Sequence, residues 1–117
     1  LEMAGVTPPD APDTQNILDN ILGRDKPIRR DSVYGAFDGH IFPAPLRLVR
    51  TRTHKLVYNR SHIGELYDLV NDPGELRNLI DMPETAAVQK ALEMRMREYM
   101  VKLEDPILRP FDRLHLA

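Results

Sequence analysis

The amino-acid sequence predicts an α+β domain, a four-stranded antiparallel sheet with a long C-terminal helix packed on one face, and three observations carry that prediction. Four short runs rich in β-branched, aromatic and alternating apolar residues lie at 32–37, 46–51, 54–59 and 65–70, with turn residues between them. Their connections are too short for crossover helices, so sequential strands pair antiparallel. One long helical pattern follows at 84–103, with Val88, Leu92, Met96, Tyr99 and Leu103 spaced three or four apart.

Taken in order, residues 1–30 differ from the rest. Leu1 to Val6 reads as the end of a helix closed by Gly5, and with no initiator Met the true start is expected upstream. A proline-rich stretch at 7–12 precedes a short amphipathic helix at 14–22, whose apolar side is Ile17, Leu18, Ile21 and Leu22 and whose stop is Gly23. A helix below roughly 12–15 residues must dock on something to be stable. Pro27 and Arg29-Arg30-Asp31 then read as a polar linker, so the domain proper is residues 31–117.

The tightest connection is Arg52-Thr53, which lacks the Asn-Gly or Asp-Gly of a two-residue hairpin and is open to reading as a four-residue type I turn. Either geometry pairs Val49 with Leu56 and Arg50 with Lys55. One face then carries Val49, Leu56 and Tyr58, the other Leu46, Leu48 and Val57, so both faces need cover. The helix can cover only one. The second face is expected to pack on a partner or on another copy of the chain. The segment 65–79 reads as a strand, an exit turn at 71–74 and a new helix, with Asp72 as N-cap, Pro73 at the first helical position and Glu75 reaching back to the Asp72 amide. The long helix is opened at Asp81 or Met82 with Pro83, and beyond Glu104-Asp105-Pro106 the tail is expected to run over the surface.

Composition narrows the function classes. With 117 residues, 42% apolar content and a formal charge of −2 from 16 basic and 18 acidic residues spread along the chain, the sequence suits one domain and offers no basic footprint for nucleic acid or an anionic membrane. The absence of cysteine excludes disulfides, thiolate metal sites and a cysteine nucleophile within this chain, and leaves the compartment open. No run approaches the roughly 20 apolar residues of a membrane span and no signal-peptide pattern opens the chain, so it reads as soluble.

Candidate chemistry is sparse. His40, His54, His62 and His115 match no metal-site spacing, so no metal ligand is assigned. His54 and His62 read as turn or strand-end residues. His40, in the Asp38-Gly39-His40 loop, is the one candidate for lining a ligand site, because functional residues concentrate on such loops. Ser32 and Ser61 lack the Gly-x-Ser-x-Gly setting of an exposed nucleophile, and no glycine-rich phosphate cradle precedes a helix. No catalytic residue is assigned. Arg47, Arg50 and Arg52 form a basic ridge that reads as a solvated edge or an interdomain salt bridge, since 47 and 50 point to opposite faces. Asp72 and Glu75 are accounted for by helix capping, and Met94, Met96 and Met100 by core filling.

The ordered set Leu46-Arg47-Leu48-Val49-Arg50-Thr51, Lys55-Leu56-Val57-Tyr58-Asn59, Glu65-Leu66-Tyr67-Asp68-Leu69, Asp72-Pro73, Glu75 and Asn78-Leu79 resembles the C-terminal signature of the sulfatase family, in its arylsulfatase and choline-sulfatase-like branch. The resemblance covers most of the chain. It implies that residues 1–30 are the tail end of a catalytic domain plus linker, and that 31–117 are the alkaline-phosphatase-like family's smaller C-terminal subdomain. The family's sulfate-ester hydrolysis uses a formylglycine made within a Cys/Ser-x-Pro-x-Arg motif and a divalent cation, usually calcium, on Asp and Asn ligands. Neither motif nor ligands match here, so the chain alone is expected to be inactive. The function expected is therefore the C-terminal subdomain of a sulfuric ester hydrolase, partnered by an N-terminal catalytic domain, with His40 lining the substrate cleft. The alternative is a free-standing protein-binding or homo-oligomerisation module using the open sheet face. A small autonomous hydrolase using His40 with Asp38 is the least supported reading.

Overall fold

The computed structural model describes residues 4–7, 18–24, 30–41 and 43–115, and the chain divides into two compact units, Leu1–Arg30 and Asp31–Ala117. In the first unit the short helix α1 spans Leu18–Ile21, where the amide of Leu22 donates to the Leu18 carbonyl at 2.9 Å. Gly23, at φ 68°, follows it, and Gly5 stands at φ 70°, the left-handed geometry expected of glycines that end helices. The stretch 8–12, the expected helical residues 14–17 with Ile17, and the linker residues Pro27 and Arg29 lie outside the described residues.

The second unit is the predicted sheet. Strands β1 (Ser32–Gly39), β2 (Pro43–Thr51), β3 (His54–Asn59) and β4 (Glu65–Asp68) lie in the order β1-β2-β3-β4, all neighbours antiparallel. Val49 stands opposite Leu56 and Arg50 opposite Lys55, as the hairpin reading requires. Residues 51–54 make the turn, where the Thr51 hydroxyl oxygen accepts the amides of Thr53 at 3.3 Å and His54 at 3.0 Å. A bulge between Phe37 and Gly39 shifts the β1–β2 register before the last pair, Gly39 opposite Pro43.

One face of the sheet is covered by two helices. A 3₁₀ turn, Pro83–Thr85, opens α2 (Ala86–Lys102), and Asp105 and Pro106 separate it from α3 (Leu108–His115). The core joins Val49, Leu56, Tyr58 and Leu66 of the sheet to Leu92, Met96 and Met100 of α2 and to Ile107 and Phe111 beyond it. The long helix lies where the spacing put it, but its stripe is rotated at the C-terminal end. Met100 is fully buried while Leu103 is 45% exposed, because the helix stops at Lys102 and the chain turns back through Glu104, at φ 52°. Met94 is exposed, so only Met96 and Met100 fill the core.

Two local expectations are corrected. The tail does not merely run over the surface: α3 inserts Phe111, 1% exposed, edge-on against the Tyr58 ring with centroids 5.1 Å apart. Nor does Asp72 start a helix. Glu75 sits at φ 54°, which breaks any helix there, and its carboxylate goes to Lys55 instead of the Asp72 amide. Asp72 still organises the turn, accepting the Arg77 amide at 2.8 Å. The chain after β4 instead runs as turns and irregular residues, and the edge strand β4 needs partners. Asn78 supplies them, its Oδ1 accepting the amides of Leu66 and Ile80 at 3.0 Å and its Nδ2 donating to the Gly64 carbonyl, while the Leu79 amide donates to the Leu66 carbonyl at 2.8 Å.

Candidate functional site

The turn between β1 and β2 carries His40, and a buried arginine sets the geometry of that turn. Arg47 stands opposite Ala36 on β2 and is 1% exposed, since strand alternation places it on the same face as Val49, beneath the helices. Its Nε and Nη2 donate to the two carboxylate oxygens of Asp105 at 2.6 and 3.0 Å. Its Nη1 donates to Asp38 Oδ1 at 2.7 Å and to the carbonyls of Leu46 at 2.9 Å and Phe37 at 3.3 Å. Asp105 also accepts the Tyr34 hydroxyl at 2.7 Å and the Ile107 amide at 2.8 Å. A buried guanidinium is stable only when its donors are satisfied in this way. The reading of Arg47 as part of a solvated edge or an interdomain salt bridge is therefore overturned.

The electrostatics follow from that pairing. Burial opposes the charge on Arg47, yet the bonds to Asp105 and Asp38 outweigh it and hold its pKa above the ordinary arginine value. Burial likewise works against the Asp105 carboxylate, but the guanidinium, the Tyr34 hydroxyl and the Ile107 amide bring its pKa below the usual range. Burial, reinforced by the Asp105 carboxylate, pushes the Tyr34 phenol well up. Asp38 is mostly solvent-exposed, so the contact with Arg47 is what ties the start of the turn to the domain. Gly39 then turns the chain at φ 97°, a value that needs glycine, and presents the exposed His40.

The remaining candidates are scattered. His54 Nδ1 lies 3.0 Å from the Thr53 hydroxyl, His62 is exposed in the turn before β4, and His115 pairs with Glu93. Ser32 is buried, with Asp31, Arg95 and Tyr99 rather than an imidazole against its hydroxyl, and Ser61 is exposed. Arg50 reaches Glu75 at 3.7 Å. Among the described residues no three His, Asp or Glu side chains converge as a cation site, and the sequence holds no Cys/Ser-x-Pro-x-Arg run. These residues therefore do not fit a formylglycine or a calcium ion. No helix among them is long and apolar enough to cross a membrane.

Sequence reasoning missed the Arg47–Asp105 pair. The signal was present in part, because an arginine in register with Val49 on a helix-covered face must find a buried carboxylate. Its partner, 58 positions away, carried no local mark.

Comparison with known proteins now places the chain. Residues 1–102 match the family described as N-sulphoglucosamine sulphohydrolase, C-terminal. The chain is 31% identical over 106 residues to an uncharacterized protein of Haemophilus influenzae, covering 91% of this chain and 54% of that one. It is 38% identical over 78 residues to the uncharacterized sulfatase YidJ of Escherichia coli, covering 67% of this chain and 15% of that one. Among solved structures, a 2-O GAG sulfatase superposes with a TM-score of 0.79 at 21% identity, over 89% of this chain and 23% of that chain. The chain thus spans about half the length of the first of these relatives and far less of the others. With its fold, its strand register and its match over residues 1–102 in agreement, the chain belongs to the family of sulfatase C-terminal domains.

Proposed function

We propose that the chain serves as the C-terminal subdomain of a sulfuric ester hydrolase, residues 1–30 being the tail of the catalytic domain plus linker and residues 31–117 the subdomain. The observation that carries this reading is the family match across residues 1–102, which runs through both units. The sheet supports it: opposite the helices, Val33, Phe37, Leu46, Leu48 and Val57 form an apolar face, with Val33 45% and Phe37 52% exposed. A catalytic domain seated there would remove that surface from water. The catalytic domain would supply the formylglycine and the divalent cation, probed as calcium, since among the described residues no cation site converges and the sequence holds no Cys/Ser-x-Pro-x-Arg run. The arylsulfatase and choline-sulfatase-like branch is the finer assignment, supported by the ordered strand motifs at 46–59 and 65–79.

In this reading His40, on a turn anchored by Asp38 and Arg47, lines the substrate cleft. Replacing His40 with Ala in the full-length enzyme is expected to raise KM or lower kcat by more than about tenfold, and unchanged kinetics at unchanged stability would end the assignment. This chain by itself, incubated with a chromogenic aryl sulfate and calcium, is expected to give no turnover. If a second copy fills the open face instead, the chain sediments as a dimer and Phe37→Asp returns it to a monomer.

A further inference from the structure

The guanidinium of Arg47 divides its donors between two parts of the chain. Nε and Nη2 go to Asp105 at the junction of α2 and α3, and Nη1 alone serves the β1–β2 turn, where Asp38 Oδ1 accepts at 2.7 Å and the carbonyls of Leu46 and Phe37 accept at 2.9 and 3.3 Å. The two carboxylates stand in opposite conditions, since the Asp105 side chain is 6% exposed and that of Asp38 is 68% exposed. Their contributions differ accordingly. Breaking the buried pair leaves a charge uncompensated, whereas a carboxylate that stands largely in water adds little to stability. Without the Asp38 side chain, the two N–H groups of Nη1 still have two carbonyl acceptors, so Arg47 keeps its donors satisfied.

Asp38 acts where the ladder is weakest. Phe37 pairs with Leu46 and Gly39 with Pro43, and Asp38 is the unpaired residue of the bulge between them. Pro43 brings no amide to that last pair. Gly39 then stands at φ 97°, a conformation open to glycine and supported by no side chain of its own. His40 follows, exposed. Backbone pairing therefore fixes the path into His40 poorly, and the Asp38 carboxylate, seated on a buried guanidinium that Asp105 holds from the other side, supplies the missing constraint.

We propose that Asp38 is a positioning residue: bonded to Arg47, it holds the turn that presents His40, and it serves turnover through that histidine rather than through its own charge or through the stability of the domain. The kinetic consequence rests on the reading of His40 as lining the substrate cleft, and the ordering of the turn does not.

Two measurements test this. In the whole chain, followed by backbone amide relaxation, Asp38→Ala is expected to bring the order parameters of Gly39, His40 and Ile41 below about 0.6, the flexible range, with the thermal midpoint unchanged. Asp38→Asn keeps an oxygen acceptor for Nη1 and is expected to keep the turn ordered. Unchanged order in Asp38→Ala, or a midpoint that falls as far as in Arg47→Ala, overturns the proposal whatever His40 does. In the full-length enzyme, Asp38→Ala is expected to lower kcat/KM about fivefold and Asp38→Asn to stay within about twofold of the parent. The loss from Asp38→Ala is expected to vanish in the His40→Ala background, because both changes act through one side chain. An equal loss in Asp38→Asn would assign the effect to charge, and an undiminished loss in the His40→Ala background would assign it to another group; either overturns the positioning role. Normal kinetics in His40→Ala would end the reading of His40 itself and the positioning role with it, whereas an impaired His40→Ala beside a normal Asp38→Ala overturns the positioning role alone.

Discussion

The two faces of the sheet are built from similar residues and end in opposite conditions. On the covered face Val49 and Leu66 are fully buried, and Arg47 beside them is 1% exposed. On the open face Leu46 and Leu48, which flank Arg47 in sequence, are only half-buried, and Val33 and Phe37 are exposed. Burial here runs against hydropathy: the arginine is inside and its leucine neighbours are partly outside. The difference teaches that a strand's alternation assigns residues to faces, while what lies over each face decides which of them leave water. Arg47 can be buried because Asp105, delivered by the junction between α2 and α3, arrives on that face with two oxygens in line. The leucines stay half-open because α2 and α3 both pack on the other side.

Breaking the buried pair should produce the largest effect. Arg47→Ala leaves Asp105 buried without its guanidinium and is expected to cost about 3–5 kcal/mol in urea unfolding. The double variant Arg47→Met with Asp105→Leu should recover most of that loss, because an apolar pair of similar volume avoids the desolvation of both charges. A double variant as unstable as the single one would mean that the pair organises the turn and the helix junction beyond its own energy.

A matched pair of truncations sharpens the comparison at the next level. Leu66→Ala, on the covered face, is expected to cost about 2–5 kcal/mol through lost burial and a residual cavity. Leu48→Ala, on the open face, is expected to cost about 1 kcal/mol or less in this chain. Equal losses from the two would show that the open face is covered in solution.

The smallest effect expected is a pH dependence. The Asp105 pKa is lowered in the folded state by Arg47, Tyr34 and the Ile107 amide against the opposing effect of burial. Its contribution to stability is therefore fully present above the unfolded carboxylate value of about 3.9 and is lost as pH falls through the lowered folded value. Urea unfolding from pH 5 downward should show this decline, and Asp105→Asn should flatten it. A variant declining as steeply as the parent would assign the acid sensitivity to other carboxylates, such as Asp31 or Asp68, whose pKa values are also lowered.

Much of the fold was legible from local pattern, and the failures have physical causes. The four strands, their order and the Val49–Leu56 register follow from short apolar runs joined by connections too brief to allow anything but antiparallel neighbours. The helix expected after Asp72 did not form. Its capping residues were correct for a helix, but Leu66 needed edge partners that Asn78 and Leu79 could give outside a helix, and Glu75 found Lys55. The tail was misread because Ile107, Leu108 and Phe111, spanning five positions, carry too short a pattern to announce a docked helix. His40 was legible as a loop residue, and the structure leaves it exposed on a tethered turn.

By itself the sequence determined the α+β class and the strand register, because those rest on periodicity and spacing that neighbouring residues share, and it carried the sulfatase resemblance in the ordered motifs at 46–59 and 65–79. Only the tertiary structure decided that Arg47 lies inside with Asp105, that Asn78 closes the edge of β4, and that α3 packs Phe111 against Tyr58. The first two depend on atoms brought within about 3 Å by parts of the chain far apart in sequence, and the third on rings brought together in the same way, and such contacts are specified by packing rather than by local pattern.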